Sequence, residues 1–317
     1  MERGVNMKDT MLYLDRFICF EEIVLDSAED YAQCNNWNAP YMNNANTIFV
    51  CTEGQWTVLI EGASYTMRLH DLCISKCMEA CLMQPERYPS GMWRISFSPY
   101  YFRVIDPQLR LCRPFHAREM GVGNLIAREQ YDETQFFRHM LRVTEERDGM
   151  DKRLALVVSL AGFLYELGQS YNYHQPDTRP EEIRTILDYI DAHYCEDIEL
   201  ETLSKNLYLS RSQLAKVMKR ATGFTTWDYV LNKRICRALQ MLHNGMGNRE
   251  VAKAVGFRDY STFYKAFLKI SNTTPNNEHP TEQIDPLLQH FYNQEEASDW
   301  MQAVFAKRFG AGTAEIR

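Results

Sequence analysis

The run IELETLSKNLYLSRSQLAKVMKR, residues 198–220, is echoed by NREVAKAVGFRDYSTFYKAFLK, residues 248–269. Each copy reads as a short helix, a tight turn, a polar capping residue and a second helix. Leu203, Leu207, Leu214 and Met218 are spaced to meet in one core, and Val251, Val255, Phe263 and Phe267 repeat the arrangement. Ser210 and Gln213 have the spacing of a capping box, and Asp259 can cap the matching helix after a Gly256-Phe257 turn. The two capping residues lie 49 positions apart. Between them Trp227, Val230, Leu231, Ile235, Ala238 and Leu242 form an apolar stripe at helical spacing, which predicts one stiff helix joining the two units. A plain helical bundle could contain one such pair. Two copies with matching caps, and with basic residues on the faces left exposed, favour paired helix-turn-helix units.

The run also resembles the DNA-binding domain of the AraC/XylS family of bacterial transcription regulators. The likeness is carried by LSRSQLAKVMKRATGFTTWDYVLNKRICRALQML, then VAKAVGFRDYSTFYKAF, then TTP, and it covers Glu181 to Glu278. Asn248 departs from the family's usual aliphatic residue, though it could cap the helix. Asn272 departs from a usual Gly, and Glu278-His279 from a usual Tyr-Arg. The resemblance implies a sequence-specific regulator of double-stranded DNA, an activator working with RNA polymerase, paired as a homodimer. It places the chain in a bacterial cytoplasm, on the nucleoid when bound. These departures motivate an alternative: a regulatory interaction protein that heterodimerises and has no sequence-specific binding of its own.

The formal charge of −7 would argue against a nucleic-acid partner if it were evenly spread. From Lys205 to Asn277, however, thirteen Lys or Arg face only Asp228, Glu250 and Asp259, a net of +10 that leaves −17 elsewhere. That is a local basic footprint on an acidic chain. Nine cysteines, an odd number in a chain of 317 residues, fit a reducing compartment better than a disulfide scaffold. No run approaches the roughly 18 apolar residues of a membrane span, and the N-terminus has no apolar core of the signal-peptide kind.

The N-terminal part reads differently. Residues 1–45 give weak signals, with Asn35 to Asn46 read as loop. TIFVC, QWTVLIEG, SYTMRL, DLCIS, EACLM and WRISF then follow as short strands, separated by Gly54, Gly62, Asp71 and Pro89-Ser90-Gly91. Such a series suits a small sandwich or barrel. It resembles the cupin-type sensing domain of the same regulators, through the Gly54–Gly62 hairpin, Tyr65, Asp71-Leu72 and ISFSPYYF. Asp132 can cap a following helix with Gln135, and LALVVSLAGFLYEL, residues 154–167, is apolar nearly all round. That second helix either packs within its domain or forms a dimer interface. The expected fold class is α+β: a cupin-like β-barrel with dimerising helices (1–170), a polar linker (171–180), an all-α double helix-turn-helix domain (181–280) and a helical extension (281–317). Thr178 with Glu181 is expected to cap the first helix after the linker.

By position in the family motif Ser212, Ala215, Lys216, Ser261, Tyr264 and Lys265 match base-facing sites, and Arg211, Tyr260 and Thr262 face outward beside them. Each could instead be a solvated or phosphate-contacting residue. Lys219, Arg220, Lys233 and Arg249 are expected at phosphates, with Arg211 eligible for that role too, and Arg234 is expected to brace the domain. A small effector belongs by default inside the barrel, where Trp56, Tyr65, Trp93 and Arg94 are candidate lining residues. Cys73, Cys77 and Cys81 recur every four residues and would share a face on a helix or a strand, as core thiols or as a metal or redox site. Without CxxC spacing, an H-x-H pair or a His placed beside a single Cys, neither a metal, a cofactor nor a catalytic residue is expected; His70 reads as a surface or turn residue.

Overall fold

A computed structural model of the protein describes residues 8–278, apart from 15–17, 35–36, 43–44, 99–101, 103–105, 146–148, 197, 199 and 272. The expected helical extension, with Asn272 and His279, lies outside the described residues.

The N-terminal domain is one eight-stranded antiparallel sheet in the order β1-β2-β7-β4-β6-β8, with β3 on β7 and β5 on β4. Its strands are β1 (Lys8–Leu14), β2 (Ile18–Leu25), β3 (Tyr41–Met42), β4 (Asn46–Ile60), β5 (Ala63–Arg68), β6 (Leu72–Ser75), β7 (Ala80–Phe97) and β8 (Leu125–Ile126). A short helix, α1 (Ala28–Gln33), follows β2, capped by Ser27. Three strands, β1, β2 and the two-residue β3, thus come from the segment whose sequence signals were weak, β3 within the stretch expected to be loop.

Gly54 and Pro89-Ser90-Gly91 do not end strands as expected. Both long strands run through them, and the β4–β7 register shifts there. Residues 46–51 pair with 92–97, and residues 55–60 pair with 81–87 in a second ladder. Gly54 has φ +76°, and a Cβ on it would lie 2.6 Å from the Pro89 carbonyl oxygen; one on Gly91 would lie 2.5 Å from Thr52 Oγ1. Glycine is used here because two bent backbones touch.

The sheet is apolar on both faces, so strict alternation is lost along Asn46–Cys51. Phe49, Cys51, Trp56, Val58, Ile60, Met67, Met83 and Met92 pack inside the bend. Phe20, Ile48, Val50, Trp93, Ile95 and Phe97 point the other way, under α3 (Glu133–Glu145) and α4 (Gly149–Ser170). Phe136, Met140, Leu156, Leu160, Phe163 and Leu164 complete that outer core. The Gln135 N–H donates to Asp132 at 2.9 Å as the capping pattern suggests, but the Gln135 side chain donates to Glu166 instead of closing the box. On α4, Leu154, Val158 and Tyr165 stay exposed.

The helical part holds α5 (Glu181–His193), α6 (Leu200–Asn206), α7 (Arg211–Thr222), α8 (Thr226–His243), α9 (Asn248–Ala254) and α10 (Tyr260–Ser271). A 3-10 turn (Arg110–Cys112) and a further short helix, α2 (Arg113–His116), lie between β7 and β8. α6–α7 and α9–α10 are the two helix-turn-helix units, each with its own core. α8 serves both: Tyr229, Val230 and Cys236 belong to the first core, and Ile235, Ala238, Leu239 and Leu242 to the second. Trp227 was expected in that stripe but is 48% exposed, with Arg234 against its ring. Two expected caps are also corrected. α5 begins behind Pro180 with no side-chain cap from Thr178, and α9 begins behind Gly247, leaving Asn248 as its first residue, bonded to Asn276.

Replacing Gly54 with alanine forces a Cβ against a backbone oxygen at positive φ. Chemical denaturation of the variant should show a loss of about 2–3 kcal/mol.

Candidate nucleic-acid interface and its anchorage

α7 is framed by its ends. The Ser210 hydroxyl accepts the Gln213 N–H at 3.2 Å while Gln213 Oε1 accepts the Ser210 N–H at 2.8 Å, completing the box. Gly223 at φ +76° closes the other end. Leu214 and Met218 point into the core, leaving Arg211, Ser212, Ala215, Lys216, Lys219 and Arg220 exposed. Lys216 and Arg220 line a shallow groove with Glu182, Leu209, Gln213 and Val217. Arg211 pairs with Glu201 at 2.9 Å, and Lys219 Nζ donates to the Gly223 carbonyl at 2.5 Å.

α10 is arranged alike. Asp259 accepts the Thr262 N–H and hydroxyl, each at 2.8 Å, so Thr262 belongs to the cap. Phe263 and Phe267 are buried; Ser261, Tyr264 and Lys265 are exposed, and Tyr260 is half-buried against Phe263. Arg249 is exposed on α9.

Lys233, expected at a phosphate, is instead buried. Its side chain is 1% exposed, with Nζ 2.6 Å from Asp191 Oδ1, so it cannot reach a phosphate. Burial alone would lower its pKa; the facing carboxylates of Glu61 and Asp191 outweigh that and raise it, keeping the ammonium charged. Arg234, the next residue, braces the helical part. Its Nε donates to the Tyr194 carbonyl at 2.6 Å, Nη1 to Gly256 at 2.9 Å and Nη2 to Glu196 at 2.6 Å.

Lys233 belongs to a contact that the sequence did not announce. Glu61, in the β4–β5 turn, is fully buried; its carboxylate accepts the Tyr229 hydroxyl and the Ala80 N–H, both at 2.6 Å. Further along the same face of α8, Cys236 Sγ approaches the Met42 carbonyl at 3.6 Å and Gln240 Nε2 donates to Cys77 Sγ at 3.0 Å. A Cβ on Gly62 would lie 2.9 Å from Ile183, and one on Gly223 2.7 Å from Pro40, so the sheet and the helices touch closely. The segment 171–180 is docked too: Tyr171 donates to the Gly123 carbonyl at 2.5 Å, and Arg179 is buried on Asp177.

Of the candidate effector residues, Trp56, Tyr65 and Arg94 lie on the inner side of the bend and Trp93 on the outer side. Trp93 and Arg94 are neighbours on one strand and face opposite sides. Trp93 packs on Phe20 and Phe137 in the outer core, with Nε1 on Glu22 at 2.9 Å. Arg94 is bound by Glu21 and lies over Trp37 at 4.6 Å. Trp56 is buried with Nε1 on the Gly91 carbonyl at 3.1 Å, and Tyr65 donates to the Gly121 carbonyl at 3.0 Å. The three cysteines do not share a face of one element: Cys73 is on β6, Cys77 in the turn after it and Cys81 on β7. Burial raises all three thiols, Cys77 to about 11, which holds them protonated. Among the described residues no group of three His, Cys, Asp or Glu could hold a metal ion. His70 sits in a turn at φ 68°, paired with Glu133. No described helix is long and apolar enough to cross a membrane.

Residues 203–278 match the model of a helix-turn-helix domain family. The uncharacterised helix-turn-helix transcriptional regulator YdeC of Bacillus subtilis is 34% identical over 110 residues, which is 34% of this chain and 38% of its own. The lactose operon transcription activator of Staphylococcus xylosus is 30% identical over 96 residues, 30% of this chain and 34% of its own. The match thus spans little more than a third of these relatives. A crystal structure of ToxT from Vibrio cholerae aligns with 84% of this chain and 97% of its own, at 14% identity and a TM-score of 0.36.

Burial raises the Glu61 carboxyl from 4.5 to about 7, with Lys233 pulling it back in part. A carboxyl raised on folding stabilises fully below its unfolded value, and that contribution is lost as pH rises through the folded one. Wild type should therefore lose melting temperature relative to Glu61→Gln between about pH 5 and pH 8. Parallel melting curves for the two proteins would contradict this.

Proposed function

We propose that this chain, whose residues 203–278 are an AraC-type helix-turn-helix domain, is a sequence-specific regulator of transcription that binds double-stranded DNA. The observation that supports it is the pairing of two capped helices, α7 and α10, on one connecting helix, each with polar and basic residues left exposed. Arg211, Ser212, Ala215 and Lys216 read one half of the site, and Tyr260, Ser261, Tyr264 and Lys265 the other. Arg220 and Arg249 meet phosphates, and Lys219 joins them on release from Gly223. Because the two helices carry different residues, one subunit reads an asymmetric site. The chain acts as an activator with RNA polymerase in the bacterial cytoplasm, and not as an enzyme; likeness to an operon activator supports the sign of regulation. A small effector taken up by the sheet domain would act on α8 through the β4–β5 turn, where Glu61 meets Tyr229.

Lys216→Ala should weaken binding by about 1–3 kcal/mol and relax base preference in one half of the footprint, and Lys265→Ala should do so in the other half. Arg220→Ala should weaken all sequences alike and reduce the salt slope by about 1. Footprinting at several salt concentrations separates these outcomes, and indifference of all three variants would favour the interaction-protein alternative.

The exposed Leu154, Val158 and Tyr165 recur at helical spacing along α4, which supports a homodimer formed through that face. Val158→Asp should shift the protein to monomer in sedimentation at micromolar concentration while leaving its melting temperature nearly unchanged.

A further inference from the structure

Tyr208, in the turn between α6 and α7, combines two features that folding does not account for. Its backbone lies at φ 55°, in the left-handed region that a bulky side chain adopts only at a cost. Its side chain is 97% exposed. The turn itself is firmly tied. The Tyr208 N–H donates to Lys205 O at 3.1 Å, the Leu209 N–H to Ser204 O at 3.0 Å, and the Ser204 hydroxyl to Leu209 O at 2.7 Å.

The second helix-turn-helix unit provides an internal comparison. Its left-handed turn residue is Gly256, at φ 84°, where a Cβ would come within 2.4 Å of the Cys195 carbonyl oxygen. The first unit makes the same backbone demand and meets it with an aromatic residue that buries almost nothing. Glycine at 208 would relieve the backbone without giving up packed area. What the ring contributes must then come from contact with another molecule.

We propose that Tyr208 is a DNA contact, with its hydroxyl donating to a backbone phosphate and its ring lying against the adjoining sugar. The proposal rests on the reading of α7 as a recognition helix. Tyr208 precedes the Ser210 cap by two residues, and Lys205 before it and Arg211 and Ser212 after it are all exposed, Arg211 paired with Glu201. That basic setting at the mouth of α7 suits a phosphodiester strand, and tyrosine is among the side chains that hold such strands. An acidic protein surface is the competing partner.

The full-length chain, Tyr208→Gly and Tyr208→Phe are compared by melting temperature and by affinity for a duplex selected with the wild type. Tyr208→Gly should melt at or above the wild-type temperature and bind about three- to tenfold more weakly, whatever the base sequence. Tyr208→Phe should lose part of that affinity. Equal binding by wild type and Tyr208→Gly overturns the proposal, as does a marked fall in melting temperature, which would make the residue structural. Unchanged DNA affinity with lost transcription activation would assign Tyr208 to a protein partner and overturn it as well. If the wild type itself selects no duplex, the DNA reading fails first.

Discussion

A carboxylate buried between two folded regions destabilises both unless it is answered. Glu61 is answered three ways: by the Ala80 N–H of its own sheet, by the Tyr229 hydroxyl of α8, and by the charge of Lys233, which is itself held by Asp191 of α5. Three elements far apart in sequence therefore meet at one polar point. Since α8 contributes to the cores of both helix-turn-helix units, fixing α8 on the sheet fixes the two recognition helices as well. The close approaches at Gly62 and Gly223 leave little room for another seating.

Lys233 and Arg234 show how adjacent cations on one helix divide between tasks. Successive residues point about 100° apart, so one faces the sheet and the other the junction between α5, α6 and the Gly256 turn. Neither adds to the field that a duplex would meet. The basic footprint of residues 205–277 is accordingly smaller than its formal charge, and it is concentrated on the outer faces of α7, α9 and α10.

The helical units were legible because their signals are local. The Ser210–Gln213 box, the Asp259 cap and the apolar spacing of Val251, Val255, Phe263 and Phe267 all act within a few turns of helix. The strands were legible in type but not in extent. Gly54 looks like a turn residue because the same freedom of φ serves a bulge inside a strand, and Gly91 because a close approach also excludes a side chain; only the pairing of β4 with β7 tells these uses apart. The contact of Glu61 with Tyr229 joins residues 168 positions apart, and nothing in either neighbourhood marks it. The burial of Lys233 is hidden for the same reason. A lysine on an amphipathic helix reads as solvated until a second domain covers it. Trp93 lies apart from Trp56, Tyr65 and Arg94 because Trp93 and Arg94 are consecutive on a strand and must face apart.

The seating of α8 has a mechanical consequence. Tyr229, Cys236 and Gln240 lie along about 16 Å of helix and are held by the sheet domain, while Lys233 between them is held by Asp191 of α5 and faces the Glu61 carboxylate. A rod clamped along that length acts as a splint, and the gap between α7 and α10 becomes a fixed gauge. A duplex engaging both helices has to come to that gauge by adjusting its own twist and curvature. The sheet domain would then impose selectivity on base pairs that neither helix touches, favouring sequences whose steps deform readily between the two grooves.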